Sequence, residues 1–405
     1  MHPLDESSAE PARPSARERL ALLAINGVAF QALYGACNLA AARAGVTRDI
    51  ATRWDALVPF VPWMLLPYMT SVPLLVAAFA IVPDRQGLRA LSQRCLLATA
   101  LATLVFALWP LRMATVDAPP ATPLLAALAR LLKGLDQPFN QWPSLHVAYC
   151  VVLWPALRDA VRPAVGRLMI AAWLTLVVAS TVFAHRHFLP DVAGGLALGA
   201  LCRAVVPARR ETPAVAFYYL VTAIAALVLG LTVLWLVPCL WLAAGFAGVA
   251  LAYARGDVDF LHKRRGGFPV GVWLLHAPYI VGYRLTWHLV RWRERGGAPV
   301  APFAEGVWIG RRLAHDELAL LPPDCAVIDL ASELTGTPQL RDRTQSFGLL
   351  DIVPPAPARL AAILDAIDAQ RALGRPVFVH CAMGYRRSRQ VALAWRARHD
   401  NPPTP

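Results

Sequence analysis

The residues with the clearest chemical potential lie near the C-terminus, in the segment R-P-V-F-V-H-C-A-M-G-Y-R-R-S. Its apolar run predicts a buried strand ending at Cys381, Gly384 permits a tight turn, and the residues from Arg387 onward predict a helix with an apolar face. The amides of such a loop and the positive end of the helix favour a phosphate dianion and stabilise a cysteine thiolate. We therefore predict that Cys381 attacks phosphorus and that Arg387 holds two phosphate oxygens beside Gly384. Ser388 then assists the departing thiolate. The alternative is a buried cysteine packed in front of a helix.

This segment resembles the signature loop of the protein tyrosine and dual-specificity phosphatases, in which His-Cys is followed by five residues and Arg-Ser. The resemblance begins near Gly306 and covers about the last hundred residues. It implies an α/β cysteine-phosphatase domain with a central sheet, which we place at residues 298–405. It also implies that Asp351, in F-G-L-L-D-I-V-P-P, is the general acid that protonates the leaving alcohol.

A second set of reactive residues lies in K-G-L-D-Q-P-F-N-Q-W-P-S-L-H and S-T-V-F-A-H-R-H-F-L-P-D. Pro143 is suited to open a helix, which places Ser144 and His146 where free helix amides favour an anion. His187 and Asp191 are four residues apart, so the carboxylate can hold the imidazole in one tautomer with its other nitrogen free to attack. We predict that His187 is the nucleophile and that His146 protonates the leaving oxygen, with no metal required. The alternative is that these histidines are ordinary side chains at the ends of membrane spans.

These residues resemble the type 2 phosphatidic acid phosphatase superfamily. Its motifs are a Lys-led segment ending in Arg-Pro, then Pro-Ser-Gly-His, then Ser-Arg, five residues, His, three residues and Asp. Here Leu145 replaces the glycine, Thr181 replaces the arginine of the third motif, and Asn140 and Gln141 stand where Arg-Pro would end the first. The pattern P-F-N-x-x-P-S-L-H with S-T-x-F is similar to the inositol phosphorylceramide synthase-like branch, which transfers a phosphorylated headgroup to an alcohol.

The same resemblance implies which side chains hold the phosphate. In addition to the catalytic histidines and Asp191, it points to Lys133, Ser144 and Ser180. The two arginines missing from the motifs would be replaced by Arg186 or His185, which lie beside the nucleophile. We include Arg186 in the predicted binding set and give His185 no separate role.

The composition places most of the chain in a membrane. Of 405 residues, 57% are hydrophobic and 16% charged, and the apolar residues are concentrated before residue 254. The apolar segments long enough to span a bilayer are 20–42, 63–83, 95–113, 145–158, 165–184, 190–206, 214–236 and 238–254. We therefore predict a polytopic α-helical membrane domain at 20–254 with about eight spans, six or seven being the alternatives. Residues 1–19, rich in Pro and Ser, are predicted to be a disordered N-terminus.

The arginines predict how the chain lies in the membrane. They cluster at alternate span ends, as expected for cytoplasmic loops, at 13–19, 85–94, 158–167, 203–210 and 255–265. An even number of spans then places both termini and the cysteine domain in the cytoplasm and the histidine loops outside. The net charge of +13 reflects this topology and attraction to anionic lipid, and we predict no nucleic-acid partner. The preference for arginine over lysine is typical of a high-GC genome and favours a bacterial inner membrane.

The seven cysteines have no paired spacing, so we predict no disulfide framework, no metal site and no cofactor. Residues 255–297 are basic, aromatic and interrupted by glycine. We expect this linker to lie in the cytoplasmic interface of the membrane, and the alternatives are a ninth span or a core helix of the C-terminal domain.

The two sets of reactive residues predict a bifunctional membrane phosphoesterase acting in lipid metabolism. The His187 site would act on the outer face as a phospholipid phosphatase or headgroup phosphotransferase, and the Cys381 site would act as a phosphatase on the cytoplasmic face. The alternative is a membrane-anchored protein tyrosine or serine phosphatase in signalling, with a phosphoprotein partner and a membrane half that anchors the enzyme or senses lipid. A further alternative is a phospholipid-binding scaffold with degenerate sites. The sequence does not distinguish between lipids, or between water and an alcohol as the acceptor.

Overall fold

The computed structural model describes residues 13–113, 122–135, 137–207, 214–233, 236–264 and 266–400, and omits the side chains of 133–135. The chain divides into two compact units. The first comprises Met1–Thr212 and Ile224–Leu240, and the second comprises Pro213–Ala223 and Trp241–Pro405.

The first unit is helical. Its helices are α1 (Ala16–Arg43), α2 (Leu65–Met69), α3 (Ser71–Ile81), α4 (Arg85–Leu108), α5 (Pro123–Leu135), α6 (Leu145–Ala160), α7 (Ala164–Phe183) and α8 (Leu189–Val205). Helices α9 (Ala214–Thr232) and α10 (Leu236–Arg255) are shared between the two units. Helix α1 begins inside the segment predicted to be disordered, because the Ser15 side chain accepts a hydrogen bond from the Glu18 amide and caps the helix. Residues 1–12 lie outside the described part of the chain.

Six helical segments of the described chain are long and apolar enough to cross a membrane, which supports an integral membrane protein. They are Ala16–Arg43, Pro62–Ile81, Arg85–Leu108, Ala164–Phe183, Ala214–Thr232 and Leu236–Arg255. Helices α6 and α8, which the sequence analysis counts as spans, are 16 and 17 residues long. The count of eight therefore stays a prediction. Helix α4 begins ten residues before the predicted span at 95, because Asp84 caps it by accepting from the Gly87 amide.

Close packing of α6 against α8 frames the histidine-containing loops. A Cβ atom added at Gly195 would lie 2.5 Å from the Ser144 carbonyl oxygen, and one added at Gly199 would lie 2.6 Å from Cβ of Val151. Only glycine permits this approach of the two backbones. The start of α6 is thereby fixed against the first turns of α8.

The second unit contains a mixed α/β sheet, as predicted for the C-terminal domain. Its elements are α11 (Val270–Leu275), α12 (Ala277–Arg293), β1 (Val300–Ala304), β2 (Val307–Arg311), β3 (Ala326–Ala331), β4 (Thr344–Leu349), α13 (Pro357–Ala372), β5 (Val377–Cys381) and α14 (Arg387–Asp400). The strand order is β1-β2-β5-β3-β4, and only the β1–β2 pair is antiparallel. Strand β5, which ends at Cys381, therefore lies at the centre of the sheet.

Alternate residues of the central strands pack into two cores, as the pleat of a strand requires. Val377 and Val379 of β5 face a core that includes Ile363 and Ile367 of α13 and Val391 of α14. Phe378 of the same strand packs into another cluster on the opposite face. Burial on both faces explains why this strand is a continuous apolar run in the sequence.

Helix α12 belongs to the same unit as the sheet. It buries Tyr279, Ile280 and Trp287, and the Trp287 indole donates to the Arg312 carbonyl oxygen at 2.9 Å. The large apolar residues on its exposed side are Val281, Leu285, Leu289 and Trp292. The linker predicted at 255–297 thus contributes a helix to the core of the second unit and presents an apolar face outward.

Candidate functional sites

The two histidine-containing segments meet at the N-termini of α6 and α8 in the first unit. Ser144 is the N-cap of α6, and its hydroxyl accepts from the Val147 amide at 3.5 Å. The Ser144 amide in turn donates to the Asp191 carbonyl oxygen at 3.1 Å. This backbone bond joins residues that are 47 positions apart. It brings together the two segments that the sequence analysis assigns to one site.

His187 and Asp191 form the predicted pair. Their side chains are 7% and 0% exposed, and His187 Nδ1 lies 3.3 Å from Asp191 Oδ2. The same oxygen accepts from the Phe188 amide at 2.8 Å, which fixes the carboxylate at the first turn of α8. An acceptor beside Nδ1 favours the tautomer with the proton on that nitrogen. The unprotonated Nε2 then has a lone pair that is available for attack.

His146 lies beside this pair. Its ring centroid is 5.9 Å from that of His187, and the ring of Tyr68 in α2 stacks on it at 4.4 Å. His185, for which we predicted no role of its own, instead has Nε2 3.1 Å from the Val58 carbonyl oxygen. Tyr68 was missed by the sequence analysis, because nothing in its own segment indicates that α2 packs against a histidine 78 residues later.

The residues predicted to contact phosphate lie in different surroundings. The Ser180 hydroxyl is fully buried and donates to the Val177 carbonyl oxygen at 2.6 Å. The buried Nε of Arg186 has no hydrogen-bond partner within the described residues. The amides of Arg186 and His187 both donate to the Thr181 carbonyl oxygen at 2.9 Å, and this tight turn holds the two residues beside the end of α7. The side chain of Lys133 lies outside the described residues.

In the second unit, Cys381 ends β5 and the loop after it leads into α14. Gly384 has φ of +79°, and a Cβ there would lie 2.7 Å from the Arg311 amide nitrogen, so the turn requires glycine. The Gly384 amide donates to the Cys381 sulfur at 3.3 Å, and the Ser388 hydroxyl lies 3.7 Å from it. The strand, turn and helix predicted around the cysteine are therefore all present, with Ser388 close enough to assist a leaving thiolate.

Arg387 is held by a residue that the sequence analysis did not identify. Its side chain is 4% exposed and that of Glu333 is 1% exposed. Nη1 donates to Glu333 Oε2 at 3.0 Å and to the Leu349 carbonyl oxygen at 2.8 Å, and Nη2 donates to Glu333 Oε1. Burial opposes the charge on the guanidinium, yet Glu333 raises the pKa of Arg387 well above its usual value.

These bonds leave part of the guanidinium available to a ligand. A guanidinium has five N–H donors, and the three bonds just described use two on Nη1 and one on Nη2. Nε has no hydrogen-bond partner among the described residues. The remaining hydrogens, on Nε and Nη2, form one edge of the planar group and match two oxygens of a phosphate.

Asp351, the predicted general acid, lies next to this edge. Its Oδ1 is 3.5 Å from Nε of Arg387, and its side chain is 32% exposed. Its Oδ2 accepts from the Tyr283 hydroxyl at 3.2 Å. The structure thus brings Asp351, Arg387, Ser388 and Cys381 together although Asp351 is 30 residues from the cysteine.

A buried charged pair holds β3, the strand that pairs with the cysteine strand β5. Lys263 Nζ lies 2.6 Å from Asp329 Oδ2 and donates to the Ala331 carbonyl oxygen at 2.7 Å, and His380 Nε2 lies 3.9 Å from Asp329 Oδ1. Burial alone would raise the pKa of Asp329, but Lys263 and then His380 lower it. Burial lowers the pKa of His380, and the Asp329 carboxylate opposes this shift. Lys263 therefore ties the segment after α10 to β3.

Among the described residues, no group of three or more His, Cys, Asp or Glu side chains is arranged to hold a metal ion.

A family model described as the PAP2 superfamily matches residues 63–205. The matched segment contains both histidine-containing loops and supports phosphatase activity and association with a membrane. Comparison with curated proteins and with solved structures gave no match. The cysteine site lies outside the matched segment.

Proposed function

We propose that the chain is a bifunctional membrane phosphoesterase with a histidine site that acts on lipid phosphates and a separate cysteine site that hydrolyses phosphate monoesters. The observation that carries the first activity is the buried His187–Asp191 pair beside His146, within the segment that matches the PAP2 superfamily. The second activity is carried by the Cys381 sulfur, which accepts from the Gly384 amide, and by the buried Arg387, whose Nε edge can bind phosphate.

At the histidine site, Nε2 of His187 attacks phosphorus and Asp191 stabilises the charge that develops on the ring. The bond from phosphorus to the lipid oxygen breaks, and that oxygen takes a proton from His146. Water or a lipid hydroxyl then attacks the phosphohistidine and gives its proton to His146. Water yields free phosphate, so the enzyme is a phosphatase; an alcohol yields a new phosphoester, so it is a transferase. The distribution of arginines at span ends supports the proposal that this site lies on the outer face of the membrane.

At the cysteine site, the Cys381 thiolate attacks phosphorus while the leaving alkoxide takes a proton from Asp351. Arg387 binds two of the phosphoryl oxygens. Water then attacks the phosphocysteine, Asp351 takes its proton, and Ser388 donates a hydrogen bond to the departing sulfur. We propose that this site faces the cytoplasm and acts on a lipid or soluble phosphate in lipid metabolism.

The test is product analysis by mass spectrometry of the full chain in lipid nanodiscs. The substrates are phosphatidic acid, phosphatidylglycerophosphate and phosphatidylinositol, with diacylglycerol or ceramide as acceptor. The wild type is compared with His187→Ala and Cys381→Ser. Matched controls are His185→Ala, in the same loop as His187, and Cys325→Ser, a buried cysteine of the same domain as Cys381.

Free phosphate or a transferred headgroup that disappears only in His187→Ala supports the histidine activity and separates phosphatase from transferase. Lipid turnover that disappears only in Cys381→Ser makes the cysteine domain the lipid enzyme and overturns the role of His187. If no variant turns over any lipid while Cys381-dependent cleavage of phosphopeptides is found, the chain is instead a membrane-anchored protein phosphatase.

A further inference from the structure

Both oxygens of the Asp351 carboxyl group and the Asp351 backbone amide make hydrogen bonds, and two of the partners are tyrosine hydroxyls. Oδ2 accepts from the Tyr283 hydroxyl at 3.2 Å, and the Asp351 amide donates to the Tyr253 hydroxyl at 3.2 Å. Oδ1 accepts from the Ile352 amide at 3.1 Å and lies 3.5 Å from Arg387 Nε. Tyr283 therefore holds one carboxyl oxygen, and the other lies nearest the edge that binds phosphate.

These tyrosines do not come from the sheet that carries the cysteine. Tyr253 is in the last turn of α10, one of the candidate membrane spans, and Tyr283 is in α12. Both belong to one aromatic cluster, in which the Tyr253 and Tyr279 hydroxyls are 3.4 Å apart and the rings of Tyr279 and Tyr283 are 4.9 Å apart. Leu350, the residue before the acid, packs into the same cluster.

The surroundings of the aromatic cluster strengthen its hydrogen bonds to Asp351. Tyr253 and Tyr279 are 5% and 3% exposed, so little water competes for the hydroxyl groups. Burial raises the pKa of Tyr283, which keeps its hydroxyl protonated and able to donate. Ile352, directly after the acid, has φ of +66°, an uncommon conformation for a β-branched residue. Such a backbone persists where its neighbours hold it.

We propose that Tyr283 and Tyr253 are positioning residues for the general acid, so that the cysteine site is complete only as part of a unit that includes the membrane helix α10. This inference rests on the proposed function of the Cys381 site. In the first step the S–P bond forms and the P–O bond to the leaving group breaks. The proton on Oδ1 of Asp351 passes to the leaving oxygen, while the Tyr283 hydroxyl keeps its own hydrogen and orients the carboxyl group through Oδ2.

Positioning of an acid has a specific kinetic signature. Phenyl phosphate has a poor leaving group that needs a proton, whereas dinitrophenyl phosphate has a leaving group that departs as a stable anion. Loss of the acid therefore slows hydrolysis of the first and has little effect on the second. A merely structural change in the domain slows both to the same extent.

The experiment measures kcat/KM for both substrates with the full chain in nanodiscs. The variants are Tyr283→Phe, Tyr253→Phe and Asp351→Asn, with Cys381→Ser as the blank. Tyr219→Phe is the matched control, because its ring packs against Tyr253 in the same cluster. Thermal unfolding of each variant accompanies the kinetics.

We expect Asp351→Asn to lower kcat/KM for phenyl phosphate about 100-fold or more. Each of Tyr283→Phe and Tyr253→Phe should lower it about 10-fold, the effect of one lost hydrogen bond. The kcat/KM for dinitrophenyl phosphate should change less than about twofold in all three, because it reports only the step that forms the phosphocysteine, and Tyr219→Phe should match the wild type.

Equal losses on both substrates in the tyrosine variants, or no loss on either while Asp351→Asn shows the leaving-group effect, would overturn the inference and leave the proposed function intact. If the Cys381→Ser variant still hydrolyses both substrates, the proposed function of the cysteine site is wrong, and the inference is overturned with it.

Discussion

Replacement of Glu333 by glutamine removes the charge that aligns Arg387 while keeping the size of the side chain. Both partners of this ion pair are almost completely buried. Loss of one partner of such a pair costs about 3 to 5 kcal/mol of the free energy of unfolding. The glutamine amide also brings a donor toward a guanidinium that has only donors, so the edge that binds phosphate is displaced.

The effect on catalysis follows from the two donors that Arg387 keeps for phosphate. If displacement removes one charge-assisted hydrogen bond in the transition state, the loss is about 1.5 to 3 kcal/mol. This corresponds to a fall in kcat/KM of about 10- to 150-fold. A leaving group that needs no proton should show the same fall, because Arg387 stabilises the phosphoryl group itself.

The assay is hydrolysis of phenyl and dinitrophenyl phosphate by the full chain in nanodiscs, with the Cys381→Ser rate subtracted. Glu317→Gln is the matched control, because Glu317 accepts two hydrogen bonds from Arg311, at 2.7 and 2.9 Å, in the same domain. It should lower stability and leave kcat/KM within about twofold of the wild type. A folded Glu333→Gln protein with wild-type kcat/KM would refute the role of Glu333.

Three further predictions concern stability and the packing of the sites. Lys263→Met should lower the free energy of unfolding by about 3 to 5 kcal/mol, because it leaves Asp329 buried without its cation; addition of Asp329→Asn should recover part of this loss in denaturant titrations. Burial would raise the pKa of Glu317, but hydrogen bonds from its arginine partners lower it to about 2. The stability that ionised Glu317 gives the folded protein is therefore complete above pH about 4.5 and lost as the pH falls toward 2. Unfolding measured across this range should show a loss of about 1 to 3 kcal/mol, the lower value allowing for screening by solvent, that is absent in Glu317→Gln. Gly195→Ala should cost about 1 to 3 kcal/mol and reduce turnover at the histidine site, because its Cβ would lie 2.5 Å from the Ser144 carbonyl oxygen. Wild-type thermal stability and lipid turnover in that variant would contradict the packing argument.

Local patterns were sufficient to predict the parts of each site that are close in sequence. The apolar strand, glycine turn and helix around Cys381 follow from residue type and spacing. The four-residue spacing also predicts the pairing of His187 with Asp191, but His187 precedes Phe188, the N-cap of α8, and so pairs with Asp191 from outside the helix. The resemblance of the cysteine loop implied the C-terminal α/β sheet, whereas the mostly helical N-terminal region follows from composition and the apolar segments. The local features are set by residues that lie close together in the sequence.

The residues that hold the catalytic groups from a distance could not be predicted in this way. Glu333 reaches Arg387 across 54 residues, and Tyr283 reaches Asp351 across 68. The sequence spacing of these two residues does not identify them as site residues, because their contacts depend on the strand order and on the packing of α12. The α12 segment is predicted to lie in the membrane interface because it is basic and aromatic, and this stays a prediction. The structure adds that Tyr279 and Trp287 are buried in the core of the second unit and that Tyr283 packs against it.

The most direct test of the two-site account is to identify the phosphorylated residue in each reaction. Full-chain protein in nanodiscs is mixed with phosphatidic acid or with phenyl phosphate, quenched within one turnover and digested for mass spectrometry. The account predicts phosphate on His187 from the lipid and on Cys381 from the aryl ester, each missing when that residue is replaced by alanine or serine, respectively. Product formation with phosphate on any other residue, or with both substrates labelling the same one, would contradict it.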